Sequence, residues 1–104
     1  GARIGYGSDW PVTSHVPLEA LGVPTHRSAP GSSKAWSPQE AVSLEDSLVH
    51  YTHDAAYSNF WNKGAIAVGV DADFVVLDKN PLKVAPEKVN EIKVLQVYLA
   101  GVKA

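Results

Sequence analysis

Five prolines stand between residues 11 and 38: Pro11, Pro17, Pro24, Pro30 and Pro38. They decide what the first third of this chain can become. Each fixes its own φ, lacks an N–H donor and drives the preceding residue out of the α region. With Gly22, Gly31 and several serines in the same stretch, there is room only for a short helix around residues 18–22. A loop-rich segment of this length inside a compact domain is usually functional or mobile. Ahead of it, residues 2–7 (Ala-Arg-Ile-Gly-Tyr-Gly) read as a short strand that ends in the turn formers Gly7-Ser8-Asp9-Trp10-Pro11.

Helix signals sharpen at Ser37-Pro38-Gln39-Glu40, with serine at N-cap, proline at N1 and glutamate at N3. This predicts a helical turn over 38–42. A second box, Ser43-Leu44-Glu45-Asp46, opens a main helix over 44–58. Leu44, Leu48, Tyr51, Thr52, Ala55 and Ala56 fall on one stripe of it. Glu45 and Asp46 suit the positive end of its dipole. From Lys63 the periodicity changes. Residues 64–69 read as a strand closed by Gly69, and Asp71-Ala72-Asp73 as a turn. Phe74–Leu77 reads as an apolar strand buried on both faces. Lys79-Asn80-Pro81 breaks it, Pro86–Val89 offers one helical turn, and residues 92–99 form a longer strand. Ala100-Gly101 then turns into a short last strand. The chain divides near residue 62 into a mixed first part and a β-rich second part.

The length of 104 residues allows one small domain. A 45% hydrophobic and 19% charged composition argues against disorder. The net charge of −2 comes without a basic stripe, so neither nucleic acid nor an anionic membrane is an expected partner. No apolar run reaches the roughly 18 residues of a membrane span, and no signal peptide opens the chain, so a cytoplasmic setting is expected. Absence of cysteine excludes disulfides, thiolate zinc sites and thiol nucleophiles. The chain contains no methionine and starts directly in a strand-like run. We therefore expect a piece of a longer polypeptide, the alternative being a processed small protein.

Asp9 follows a strand and opens a turn, the place where α/β folds present catalytic groups. A carboxylate there can bind a metal or act as a general base. Aspartate is equally a common turn residue. His50 and His53 lie three apart and project from one side of the predicted helix. That spacing can clasp a metal, but no third ligand stands nearby, and a solvated pair is the simpler reading. His15 and His26 are isolated in the proline-rich loop. Ser8, Ser14 and Ser28 have no base partner legible in the sequence, and no phosphate loop or nucleophile elbow is present. Trp10, Trp36 and Trp61 can line a pocket or fill a core.

Several motifs occur in one order. Gly7-Ser8-Asp9-Trp10-Pro11-Val12 is followed by Pro17-Leu18, Thr25-His26-Arg27 and Pro38-Gln39-Glu40. Then come Leu44-Glu45-Asp46-Ser47-Leu48 and Tyr51-Thr52-His53-Asp54-Ala55-Ala56-Tyr57. The block from Lys63 to Asp78 and Leu99-Ala100-Gly101 close the series. This order resembles the C-terminal portion of the metal-dependent amidohydrolases, in the YtcJ-like branch or amidohydrolase family 3. The resemblance implies an α/β fold. Residues 1–62 would hold the last strand, active-site loop and helices of a (β/α)8 TIM barrel. Residues 63–104 would be C-terminal strands of a small β-sandwich. It further implies that Asp9 is catalytic and contacts the metal, taking a proton from metal-bound water and passing it to the leaving amine. Trp10, Val12 and Arg27 would shape the substrate pocket, the alternative for Arg27 being to pack its own loop. Asp73 would make a structural turn.

The family's His-x-His pair, bridging lysine or carboxylate and two further histidines come from earlier strands, and none is in this sequence. The parent would use a divalent metal, zinc by expectation, on a small amide-type substrate, hydrolysing C–N bonds other than peptide bonds. The isolated chain is expected to be inactive, metal-free and held by the remainder of the barrel or in a homo-oligomer. Two alternatives stand beside this reading: a free-standing β-rich binding module, and a deaminase of the same superfamily.

Overall fold

A computed structural model describes residues 1–29 and 32–104; Pro30 and Gly31, counted above in the loop, lie outside them. The proline-rich stretch forms two short helices, α1 (Pro17–Leu21) and α2 (Val23–His26), each with proline in its first turn. They are separated by Gly22. A Cβ there would lie 2.1 Å from the carbonyl oxygen of Pro86, so only glycine permits this approach.

The predicted main helix is split. α3 runs Leu44–Tyr51 and α4 runs His53–Ser58. At the break, Thr52 has φ −117° and ψ −85°. Its hydroxyl donates to the carbonyl of Leu48 at 2.7 Å, a back-bond that bends helices. The N-cap is as expected: Ser43 Oγ accepts from the Asp46 amide at 3.0 Å and donates to the Asp46 carboxylate at 2.7 Å. The other predicted box does not form. Ser37 adopts φ 47°, in the left-handed region, and its side chain caps nothing; residues Pro38–Glu40 make a 3₁₀ turn instead. An N-cap side chain reaches the N3 amide from extended backbone, which Ser37 lacks.

Three strands form one antiparallel sheet in chain order: β1 (Phe74–Leu77), β2 (Val94–Leu99) and β3 (Val102–Lys103). Phe74 pairs with Tyr98, their rings stacked at 4.6 Å, and Val75 pairs with Val97. The expected burial of β1 on both faces does not hold, because β1 is an edge strand and three of its four residues are exposed. Val75, Leu95, Val97, Leu99 and Val102 share one sheet face by register, and all are exposed. Residues 2–7 and 64–69 form no strand. Among the described residues the first finds one backbone partner, the Tyr6 amide donating to His50 O at 3.0 Å. The second closes on itself as a loop, with Asn62 Nδ2 bonded to Gly69 O at 2.8 Å and the Asp71 amide to Asn62 O at 3.0 Å. Both runs have strand-like composition but lack a neighbouring strand to complete a ladder.

The buried core is small. Leu21 and Leu44 meet Val89 and Ile92, which flank the end of the 3₁₀ helix Pro86–Glu91. Leu18, Leu48, Tyr51, Leu77 and Val84 pack around them. The buried hydroxyl of Ser47 donates to Leu21 O at 2.7 Å and ties α3 to the end of α1. Large apolar side chains elsewhere stay in solvent; Phe60 is 98% and Ile66 92% exposed. No helix among the described residues is long and apolar enough to cross a membrane.

Candidate functional site

The chain reaches Asp9 through a segment seated on α3 and α4. Gly5 lies so close that a Cβ would stand 2.9 Å from Ser58 Oγ and 3.1 Å from Ala55 Cα. The Tyr6 ring packs against His50 (4.8 Å between centres) and edge-on to Tyr51 (5.4 Å). Burial pushes the Tyr51 phenol above its ordinary value, helped by Tyr6. Upstream, the Arg3 guanidinium sits 4.3 Å from the Tyr57 ring centre.

Three residues beyond Tyr6, Asp9 opens a turn with φ 52°, and its carbonyl accepts from the Val12 amide at 2.8 Å. Aspartate is one of the few non-glycine residues that tolerate this region. The turn is closed again by Thr13 Oγ1 donating to Ser8 O. The Asp9 carboxylate is exposed and, among the described residues, makes no side-chain hydrogen bond or ion pair. Trp10 and Val12 beside it are exposed as well.

Arg27 is placed differently. It follows α2 with φ 55°, and its amide donates to Val23 O at 2.7 Å. Its Nε donates to Trp36 O at 3.1 Å, the Trp36 amide donates back to Arg27 O at 2.7 Å, and the guanidinium carbon lies 5.1 Å from the Trp36 ring centre. Arg27 thus packs its own loop, the second of the two roles the sequence allowed. It also lines a cavity of about 380 Å³ with Tyr6, Val23, Pro24 and Trp36. Asp9, Trp10 and Val12 do not line that cavity.

The two helix histidines are not merely solvated. His50 Nδ1 meets Asp54 Oδ2 at 2.9 Å, and His53 Nδ1 meets Asp54 Oδ1 at 3.1 Å. Asp54 itself is only 7% exposed. The bonds from His53 and then His50 hold its carboxyl below the ordinary carboxylate value. Sequence reasoning missed this cluster, though the spacing of His50 and Asp54 four apart on a helix carried the signal. His26, which looks isolated in the sequence, has its Nδ1 2.9 Å from Ser28 Oγ and accepts from the Ser28 amide at 3.2 Å. That is a local cap at the end of α2.

Asp73 lies in the turn before β1, and its contacts are structural. Its carboxylate pairs with Lys63 Nζ at 2.5 Å and accepts from the Ala100 amide at 2.7 Å. Lys63, then the Ala100 N–H, depress its pKa, and the same pairing raises that of Lys63. Among the described residues no group of three or more His, Cys, Asp or Glu is arranged to hold a metal ion.

The amidohydrolase family matches residues 1–103 of the chain. Over 102 residues the chain is 34% identical to Protein LONG AFTER FAR-RED 3 of Arabidopsis thaliana, covering 96% of this chain and 17% of that protein. Over 104 residues it is 30% identical to N-substituted formamide deformylase of Arthrobacter pascens, covering 98% of this chain and 19% of that protein. The chain therefore spans less than a fifth of either relative. No solved structure matches it significantly.

Proposed function

This chain belongs to the amidohydrolase family, and from that premise we propose that it is the C-terminal part of a hydrolase acting on amide-type C–N bonds other than peptide bonds. The observation that carries the reading is the Asp9 turn. An exposed carboxylate, free of protein partners among the described residues, ends a segment clamped to two helices. A general base needs a fixed backbone and an accessible oxygen within hydrogen-bond reach of the proton it takes. In this reading Asp9 accepts a proton from water as the water oxygen bonds to the carbonyl carbon. It then returns the proton to the nitrogen as the C–N bond breaks. Trp10 and Val12 flank the entering substrate.

We read residues 1–62 as the last strand, active-site loop and helices of a (β/α)8 barrel, and residues 63–104 as strands of its β-sandwich. The apolar sheet face and the exposed Phe60 and Ile66 support this, since apolar patches of that extent are normally covered. They weigh against a free-standing module. The zinc implied by the resemblance does not fit these residues alone, because zinc takes about four ligands and the chain brings no such set together. We assign its other ligands to the remainder of the polypeptide, in the YtcJ-like arrangement and a cytoplasmic setting.

The name of the Arthrobacter relative makes N-substituted formamides the first substrates to test. In the polypeptide that carries this chain, Asp9→Asn is expected to lower turnover by about 10²–10⁴-fold, the range for a positioned general base. Its melting temperature should not change. Turnover within a few-fold of the unsubstituted enzyme overturns the assignment.

A further inference from the structure

Trp36 is 75% exposed, yet it is not loose. Its amide and carbonyl are both bonded to Arg27, so the backbone beneath the indole is fixed while its ring stays open to solvent. Tyr6, Val23, Pro24, Ser28 and Ala29 line the same cavity. The cavity measures about 380 Å³ and is open to solvent on one side. Among the described residues the Arg27 side chain makes one hydrogen bond, from Nε to Trp36 O. The guanidinium carries five donors in a planar fork, and among the described residues its terminal nitrogens meet no acceptor, which leaves them for an anion. No carboxylate of the described residues pairs with it.

We propose that Tyr6, Arg27 and Trp36 form a binding subsite for a flat apolar group bearing a carboxylate, an aryl or arylalkyl acid. The ring of such a ligand stacks on the indole and phenol, and its carboxylate meets the Arg27 terminal nitrogens. A cationic ligand is repelled by the guanidinium. A phosphate dianion finds one cation among mostly apolar walls and leaves most of its oxygens unpaired. The cavity stands on its own geometry. Its role as a substrate subsite rests on the hydrolase reading, and it then specifies an amide whose substituent ends in an aromatic acid.

The test uses the longer polypeptide that carries this chain, ¹⁵N-labelled at tryptophan, with phenylacetate and its uncharged analogue phenylacetamide. Phenylacetate is expected to shift the Trp36 indole N–H saturably and to bind about tenfold more tightly than phenylacetamide, a preference that added salt diminishes. Arg27→Gln should bring the two ligands to one affinity, and Trp36→Ala should abolish phenylacetate binding measured by calorimetry. Equal affinities in the unsubstituted chain overturn the proposal without any variant. So do equal shifts at Trp10 and Trp61, or an unchanged preference in a folded Arg27→Gln chain. Selective binding with no turnover in the longer polypeptide leaves the subsite and removes the hydrolase. Turnover of a carboxylate-bearing amide with KM unchanged by Arg27→Gln does the reverse.

Discussion

The carbonyl oxygen of Thr52 lies 2.6 Å from the point where a Cβ on Gly64 would stand. Gly64 also holds φ at +85°. The break between α3 and α4 and the loop that crosses it are therefore fitted to each other: the helix kinks at Thr52, and the one residue type that can cross there is glycine.

Gly64→Ala should destabilise the chain by more than about 1 kcal/mol from its left-handed backbone alone. The clash with Thr52 adds to that. Urea unfolding followed by circular dichroism checks it; a midpoint unchanged from the parent chain contradicts the fitted crossing.

Gly5 offers a second test, tied to activity. A Cβ there would push against Ala55 and Ser58 and lift the segment that leads to Asp9. In the longer polypeptide Gly5→Ala should lower both turnover and melting temperature. Asp9→Asn should lower turnover alone. Because 1 Å of misplacement can cost about 10²-fold, a Gly5→Ala enzyme with normal turnover separates Asp9 from this clamp.

Two carboxylates set an acid limit on stability. The pKa values of Asp54 and Asp73 are both lowered in the folded chain, Asp54 by His53 and His50, Asp73 by Lys63 and the Ala100 N–H. The unfolded chain binds protons to these groups more readily, so their contribution is complete above the ordinary value of 3.8. It is lost as pH falls through the depressed folded values. Lys63 has the opposite sign: its contribution is complete below 10.5 and is lost as pH rises through its raised folded value. Melting temperatures of the parent and Asp73→Asn chains should converge in acid and separate at neutral pH. A constant difference down to pH 2 would contradict the pairing.

The proposed zinc site predicts a difference between this chain and the longer polypeptide. The 104-residue chain dialysed against zinc should retain no stoichiometric ion, while the longer polypeptide should retain at least one. A submicromolar zinc site on the short chain would refute the view that the remaining ligands lie elsewhere.

Local chemistry made much of this chain legible. Proline spacing predicted one short helix near α1 but not the second, α2, and the Ser43 box marked the start of α3. The apolar run Phe74–Leu77 gave β1, and Ala100-Gly101 gave the turn into β3. Each is a property of a few adjacent residues, and the backbone obeys it wherever the segment lies. What depended on distant partners was decided only in three dimensions. Residues 2–7 and 64–69 have strand composition, but a strand exists only where another offers a ladder. Ser37 carries a capping sequence in a conformation that cannot cap. The break at Thr52, the embrace of Asp54 by two histidines and the fixed indole of Trp36 against Arg27 all join side chains whose meeting no short window of sequence records. A turn is written in its own residues, whereas a contact is fixed by the path of everything between.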